Sequence, residues 1–156
     1  LLLPMENGNH FICFKTAGKR ETVEYFYLLE DENWHKNVHK RAGTPIENIN
    51  DTLSSIADES VMYVVKNGEE LCGYFVRYED KSNLVLEGFH IAKKYRVGIF
   101  FNLFWSFVKS KFEREFLIGI YYKNKDAIRH LSKQGFEYLK TIAEDNKEYY
   151  ILTYKK

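Results

Sequence analysis

The run NLVLEGFHI (83–91) passes through AKKYRVG (92–98) into IFFNLFWSFVKSKF (99–112), and the rest of the chain is arranged around this junction. The first run is typical of a strand and the last is typical of an apolar helix. A helix start leaves backbone N–H groups unpaired and carries the positive end of the helix dipole, so its natural ligand is an anion. Gly98 lets a ligand approach the backbone closely, and Lys93, Lys94 and Arg96 add positive charge. The junction predicts a pyrophosphate cradle, and the alternative interpretation is a solvated basic loop.

The composition indicates one compact domain, residues 1–156. Hydrophobic residues make up 45% of the 156 and aromatic residues 17%, which suits a single core rich in large rings. Within this domain, we expect residues 1–10 to be a tail that takes no part in the fold. The formal net charge is +1 with acids and bases mixed, which argues against a nucleic-acid binder that depends on phosphate contacts. No apolar run reaches membrane-spanning length, and the initial LLLP is too short for a signal peptide.

The spacing of the cysteines and histidines does not indicate a metal site. Cys13 and Cys72 each lie in an apolar run, which indicates neither a disulfide framework nor a zinc site and fits a reducing, cytoplasmic compartment. His35 and His39 are spaced i, i+4 and would share one face of a helix, as a metal pair needs. No HExxH pattern accompanies them, so we interpret them as part of a solvated helix face.

Hydrophobic periodicity and turn residues predict the other elements. Strands are expected over residues 11–16, 61–66, 71–78, 84–91, 116–122, 136–142 and 149–154, and helices over residues 21–29, 44–57, 99–112 and 124–134. Thr44-Pro45 with Glu47 forms a capping box, and Asn67-Gly68 is a strong hairpin signal. The order predicts an α+β fold, a mixed sheet of about six to seven strands with about four helices. Strand 84–91, helix 99–112 and strand 116–122 form a right-handed βαβ unit if the two strands are parallel neighbours.

This order of elements, the loop KYRVGI (94–99) and the block NKDAIRHLSKQGF (124–136) resemble the GCN5-related N-acetyltransferases (GNAT), which bind acetyl-CoA. In the second block the family typically carries an Asn, an Ala one turn into the helix, and a Lys shortly before Gly-Phe. The resemblance covers residues 60–154 well, and the earlier part only by element order. It implies that acetyl-CoA is the co-substrate and that ten residues bind it: Ile91, Arg96, Val97, Gly98, Ile99, Phe100, Phe101, Asn124, Ala127 and Lys133.

The loop departs from the family pattern of Arg or Gln, two residues, Gly, one residue, then Gly or Ala. Large residues follow Gly98 where small ones are usual, and two alignments are open. Either one loop residue is missing and Gly98 matches the first glycine, or Arg96 matches the arginine and both glycines are lost. We prefer the first, because it keeps a glycine where the backbone meets the pyrophosphate.

A second departure concerns the proton donor. The family often carries a tyrosine that protonates the leaving thiolate, and Leu131 occupies that place here. The possible substitutes are Tyr121, Tyr122 and Ser132.

Acyl transfer to an amine also needs a base and a donor to the thioester carbonyl. Glu87 is the candidate base, since it lies mid-strand on the face of Val85, Phe89 and Ile91, where burial would raise its pKa. The alternatives are a carboxylate at a sheet edge or one paired with a lysine. His90 has the opposite parity and is expected to be packed or at the surface. The carbonyl donor would be a backbone N–H near His90 or Ile91, where the resemblance implies that the sheet opens.

The function predicted is acyl-CoA-dependent N-acyl transfer to a primary amine, of a small molecule or peptide, by direct attack in a ternary complex. A monomer or homodimer is expected, with no nucleic-acid or membrane partner. Segment 19–57 and strand 71–78 would form the acceptor side, where Glu21, Glu24, Glu30 and Asp31 suit a cationic amine or form a solvated face. One alternative is a domain of this fold that binds a CoA-like ligand or a protein without turnover. Another is a structural domain with an aromatic-rich face.

Overall fold

The computed structural model describes residues 2–4, 10–43 and 48–156, and within them the chain forms one eight-stranded sheet and five α-helices. The strands are β1 Leu2–Pro4, β2 His10–Thr16, β3 Val61–Asn67, β4 Glu70–Asp80, β5 Asn83–Ile91, β6 Phe116–Tyr121, β7 Glu137–Glu144 and β8 Lys147–Tyr154. The helices are α1 Lys19–Leu29, α2 Glu32–Ala42, α3 Ile49–Ser54, α4 Ile99–Ser110 and α5 Lys125–Lys133, with a 3₁₀ turn at Lys93–Tyr95. The predicted α+β class is confirmed.

The strands lie in the order β1-β2-β3-β4-β5-β6-β8-β7, and β5 and β6 are parallel whereas the other neighbouring pairs are antiparallel. The predicted crossover from β5 through α4 to β6 therefore joins parallel neighbours, as expected.

Helices cover both faces of the sheet. Phe104 of α4 packs on Phe75 of β4, with ring centroids 5.8 Å apart, and Phe26 of α1 packs on Tyr74 at 5.4 Å. Because successive residues of a strand point to opposite faces, α4 and α1 lie on opposite sides of β4. Aromatic rings thus form much of the core on both sides, as the composition indicated.

Three differences from the predicted elements concern the first third of the chain. Leu2–Pro4 pairs with β2 and is not a tail, because its backbone completes the edge of the sheet. The polar stretch after α1 forms α2, since Asp31 accepts a hydrogen bond from the Trp34 N–H (2.7 Å) and Gly43, at φ +67°, ends the helix. α3 begins after Asn48, which forms a capping box with Asp51. The predicted start at Thr44-Pro45 with Glu47 lies outside the described residues.

Candidate acyl-transfer site

The sheet opens between β5 and β6. Leu84 lies opposite Phe116 and Val85 lies opposite Leu117, and the ladder between these two fully described strands contains no further pair. β5 remains paired with β4 as far as Ile91. One edge of β5 from residue 86 onward therefore faces an opening, so its backbone N–H groups can meet a ligand.

A β-bulge in β5 lies at the start of this opening. Leu86 and Gly88 have consecutive partners in β4, so Glu87 is an extra residue between them. The bulge shifts the alternation of faces by one residue. Phe89 packs on a tryptophan of α4, with ring centroids 5.1 Å apart, whereas Glu87 contacts the segment before β3. The prediction that Glu87 shares a face with Phe89 and Ile91 is therefore wrong.

Two donors hold the Glu87 carboxylate. Its Oε1 accepts from the backbone N–H of Ala57 (3.1 Å), and its Oε2 accepts from the hydroxyl of Ser60 (2.5 Å). The same side chain borders the opening between the strands. The two hydrogen bonds thus fix the orientation of the carboxylate at the border of the opening. Its role as a base stays a prediction.

A cavity of about 560 Å³, here called the cleft, occupies the opening. Residues 87–91 of β5 and 118–120 of β6 form opposite walls, and α2, α4 and α5 supply the remainder. Six of the predicted site residues border it: Glu87, Ile91, Arg96, Phe101, Asn124 and Ala127. The sequence did not indicate the wall from α2, which consists of Trp34, Val38, Arg41 and Ala42.

Five predicted site residues do not border the cleft. Val97 and Ile99 are exposed, and Lys133 is exposed on the last turn of α5. Phe100 is only 4% exposed and packs on Phe11 of β2 (5.1 Å), so its ring points into the core and leaves the loop surface open.

Gly98, the fifth, is the N-cap of α4. Its backbone has φ +70° and ψ −145°, a conformation that is essentially restricted to glycine. No side chain caps the helix, and a Cβ built at Gly98 would meet no atom of the described residues within 4 Å. The start of this twelve-residue helix therefore offers N–H groups and open space to an anion, which suits the predicted cradle.

Arg96 belongs to a buried polar cluster. Its Nη2 donates to Glu30 Oε1 (2.7 Å), its Nε donates to the Ile91 carbonyl (2.7 Å), and its guanidinium lies over the Trp34 ring (4.9 Å). His90 Nε2 also contacts Glu30 Oε1 (3.2 Å), so His90 is packed, as predicted. Arg96 thus ties the loop to the N-terminal helices, and its charge is already balanced within the protein.

The ionisation of this cluster follows from its burial. Burial alone would raise the pKa of Glu30, but the hydrogen bond from His90 and the charge of Arg96 outweigh it and lower the pKa below the usual value of 4.5. Burial lowers the pKa of His90 below its usual 6.5, so this imidazole is neutral at pH 7. The cluster at pH 7 is therefore an ion pair with a neutral hydrogen-bond donor.

Asn124 caps α5, as predicted. Its side-chain oxygen accepts from the Ala127 N–H (3.4 Å), and both residues border the cleft. Gly135, at φ +96°, follows the C-cap and lets the chain turn into β7.

Leu131, which the resemblance aligned with the family's tyrosine, is fully buried, and its neighbour His130 borders the cleft. The Trp105 Nε1–H donates to His130 Nε2 (3.0 Å). Because an indole nitrogen can only donate, His130 carries its proton on Nδ1. Burial lowers the pKa of His130, which keeps it neutral. The substitutes Tyr121, Tyr122 and Ser132 do not border the cleft.

A second cavity of about 150 Å³, here called the aromatic pocket, lies between the sheet and the helices α1, α2 and α3. Its lining includes Phe26, Tyr27, Trp34, His35, Val38, His39, Thr52, Tyr74, Phe89 and His90. The expectation of a solvated face for His35 and His39 is wrong, because the His35 ring stacks on Tyr27 (4.1 Å) and both imidazoles are half-buried. Trp34, the large apolar residue of an otherwise polar stretch, was the sequence signal for this pocket.

Three of the four acids expected to attract a cationic amine have other partners, and Glu21 lies in the first turn of α1. Glu24 pairs with Arg20 (3.0 Å), Glu30 lies in the buried cluster, and Asp31 caps α2. None of the residues described along the aromatic pocket is acidic. No described helix is long and apolar enough to cross a membrane.

Comparison with solved structures identifies the architecture. A spermidine N-acetyltransferase from Vibrio cholerae, in complex with CoA and spermine, matches with a TM-score of 0.65 over 93% of this chain and 95% of its own, at 13% identity. An aminoglycoside N(6')-acetyltransferase from Legionella pneumophila matches with a TM-score of 0.63, covering 93% and 91% of the two chains at 14% identity. An uncharacterized Bacillus halodurans protein matches over 99% of this chain and 89% of its own, with a TM-score of 0.69 and 13% identity.

At the level of sequence, no protein-family model matches the chain, and a search of the curated proteins finds no similar sequence. The similarity is therefore one of architecture, and it covers nearly the whole chain. The chain has the fold of the GCN5-related N-acetyltransferases, as its sequence predicted.

Proposed function

We propose that this protein transfers an acyl group from acyl-CoA to a primary amine by direct attack in a ternary complex. The observation that carries the proposal is the opening between β5 and β6, with its cleft of about 560 Å³. Cavities of roughly 300–1,000 Å³ are typical of small-molecule sites. The acetyltransferase neighbours, one of them in complex with CoA, share this architecture.

The residues present fit an acyl-CoA. The uncapped start of α4 at Gly98 would hold the pyrophosphate through backbone N–H groups, and the start of α5 at Asn124 would flank the pantetheine. The free edge of β5 near His90 and Ile91 would donate an N–H to the thioester carbonyl as its charge develops. Acyl-CoA supplies the activated acyl group, and the protein supplies position and donors.

The nucleophile would be the unprotonated amine. Glu87 borders the cleft, and with both its oxygens already accepting hydrogen bonds it would take the amine proton through a water molecule. The new C–N bond forms as the C–S bond breaks, and the electron pair leaves on the CoA sulfur. The proton that this thiolate needs would come from solvent, because Leu131 cannot donate one.

A covalent route through cysteine is disfavoured. Cys13 and Cys72 are both buried, and burial raises the pKa of each thiol to about 11. A thiol in that range is protonated at pH 7 and a poor nucleophile. Direct attack is the route that the remaining groups support.

The second candidate function is binding of a CoA-like ligand without turnover. The Glu87 carboxylate is engaged in two hydrogen bonds, and an aliphatic side chain occupies the place of the usual acid. Both features would also be expected of a domain that binds the cofactor but has no catalytic groups.

Two measurements separate these functions. Acetyl-CoA at about 100 times its dissociation constant should add about 2.7 kcal/mol of stability, a shift of about 5–10 °C in Tm. Thiol release from acetyl-CoA, followed with an aromatic disulfide reagent, should then depend on added amine. A thermal shift without amine-dependent release supports the binding domain, and no shift at millimolar acetyl-CoA contradicts both functions.

A further inference from the structure

We propose that the aromatic pocket receives the ring of an arylalkylamine, so that the acceptor is a primary amine with one phenyl-sized group. This inference rests on the proposed acyl transfer and names its acceptor class. The pocket measures about 150 Å³. A cavity of about this volume, engineered in another protein, takes up benzene.

The lining matches a flat apolar group. Phe26, Tyr74 and His90 form one continuous set of rings, with centroids 5.0–6.0 Å apart, and Trp34 meets His90 edge-on at 4.9 Å. Faces and edges of rings at such spacings favour another aromatic ring by stacked or T-shaped contacts. Burial raises the pKa of Tyr74 to about 12, so its hydroxyl brings no negative charge.

The aromatic pocket adjoins the cleft. Trp34, Val38, Phe89 and His90 border both the aromatic pocket and the cleft. The inference requires a ring held in the pocket to extend a short alkyl chain past these four residues to the free edge of β5. Glu87, the proposed base, borders the same cleft.

Charge disfavours a polyamine at the same place. No carboxylate lies among the described residues of the pocket, and the Glu30 carboxylate is neutralised by Arg96. The adjoining cleft is bordered by two arginines, Arg41 and Arg96, and by two acids, Glu87 and Asp126. The aromatic pocket therefore offers a second or third ammonium group of a polyamine no acid to pair with.

Calorimetric titration of the full chain, with and without saturating CoA, tests the inference with 2-phenylethylamine, butylamine and spermidine as probes. We expect 2-phenylethylamine to bind about tenfold more tightly than butylamine, because a phenyl ring buries more apolar area than the ethyl group in its place and adds contacts with the rings of the pocket. Spermidine should bind more weakly than 2-phenylethylamine. Equal affinity for 2-phenylethylamine and butylamine, or tighter binding of spermidine, would overturn the inference.

A matched pair of variants locates the binding site. Thr52 of α3 borders the aromatic pocket but not the cleft, and Ser54 of the same helix is exposed. Thr52→Phe should fill the pocket and weaken 2-phenylethylamine at least tenfold while CoA affinity is unchanged, and Ser54→Phe should change neither. If Thr52→Phe does not fold, His39→Trp fills the same pocket from α2. Unchanged affinity in a folded filling variant would contradict the inference.

The outcomes also separate this inference from the proposed function. Acetyl transfer to spermidine with a higher kcat/KM than to 2-phenylethylamine would overturn the acceptor class and leave acyl transfer standing. Binding of 2-phenylethylamine that is sensitive to Thr52→Phe, without thiol release from acetyl-CoA, would support the pocket and contradict the transferase function.

Discussion

Glu30→Gln removes the one negative charge of the buried cluster. The Glu30 side chain is 3% exposed, and its carboxylate accepts from Arg96 at 2.7 Å and from His90 at 3.2 Å. Removing one partner of a fully buried ion pair costs about 3–5 kcal/mol. Arg96 is 27% exposed and can regain some hydration, and glutamine can still accept one hydrogen bond. We therefore expect a loss of about 2 kcal/mol in the free energy of unfolding.

Urea denaturation at pH 7, read by fluorescence and by circular dichroism, measures this loss, and Tm should fall by about 4–8 °C. The matched control is Glu24→Gln on the same helix. Glu24 pairs with Arg20 at the surface, where the side chains are 43% and 59% exposed, so this change should cost less than about 0.5 kcal/mol. If the two variants lost equal stability, the ion pair of Glu30 would have no special role and the reasoning would be refuted.

The pH dependence gives an independent check. The pKa of Glu30 is lowered in the folded protein, so its contribution to stability is present above about pH 4.5 and is lost as the pH falls through the folded value. The lowered pKa of His90 likewise makes stability fall as the pH drops below about 6.5. Glu30→Gln should flatten the stability profile below pH 4.5 and keep the decline that begins near pH 6.5.

Three further predictions concern the proposed site. Gly98→Ala should weaken CoA binding at least tenfold, because it strains the helix start. Gly68 also has a positive φ but lies in the β3–β4 turn, so Gly68→Ala should lower the free energy of unfolding by about 1–2 kcal/mol and leave CoA binding unchanged. Equal CoA affinity in both variants would contradict the cradle. Asn124→Ala should cost about 1 kcal/mol of stability in urea denaturation and raise the Kd for CoA, and an unaltered Kd would remove α5 from the site. Glu87→Gln should lower kcat by about 10²-fold or more with little change in acetyl-CoA affinity, and wild-type activity should rise with pH and show no descending limb up to about pH 10; an unchanged kcat in steady-state assays would assign the base elsewhere.

The sequence by itself determined those parts of the structure that depend on neighbouring residues. Gly68 has φ +59° at the predicted hairpin, and Asp145 and Asn146 have φ +52° and +63° at the predicted last turn. Asn124 caps α5 as predicted. Turn chemistry, capping and hydrophobic periodicity act over a few residues, so the local sequence is sufficient to predict them. The element order and the GNAT resemblance follow from these local features.

Only the tertiary structure decided which side chains meet in the site. Arg96 was predicted to bind phosphate, but it contacts Glu30, 66 positions earlier in the chain. The hydrogen bond between Trp105 and His130 likewise joins two helices. The bulge at Glu87 arises from register against β4, and one extra residue turns the carboxylate to the other face of β5. No local sequence pattern predicts such contacts, because they depend on how distant segments pack. The aromatic pocket likewise forms only when α1, α2 and α3 pack against the sheet.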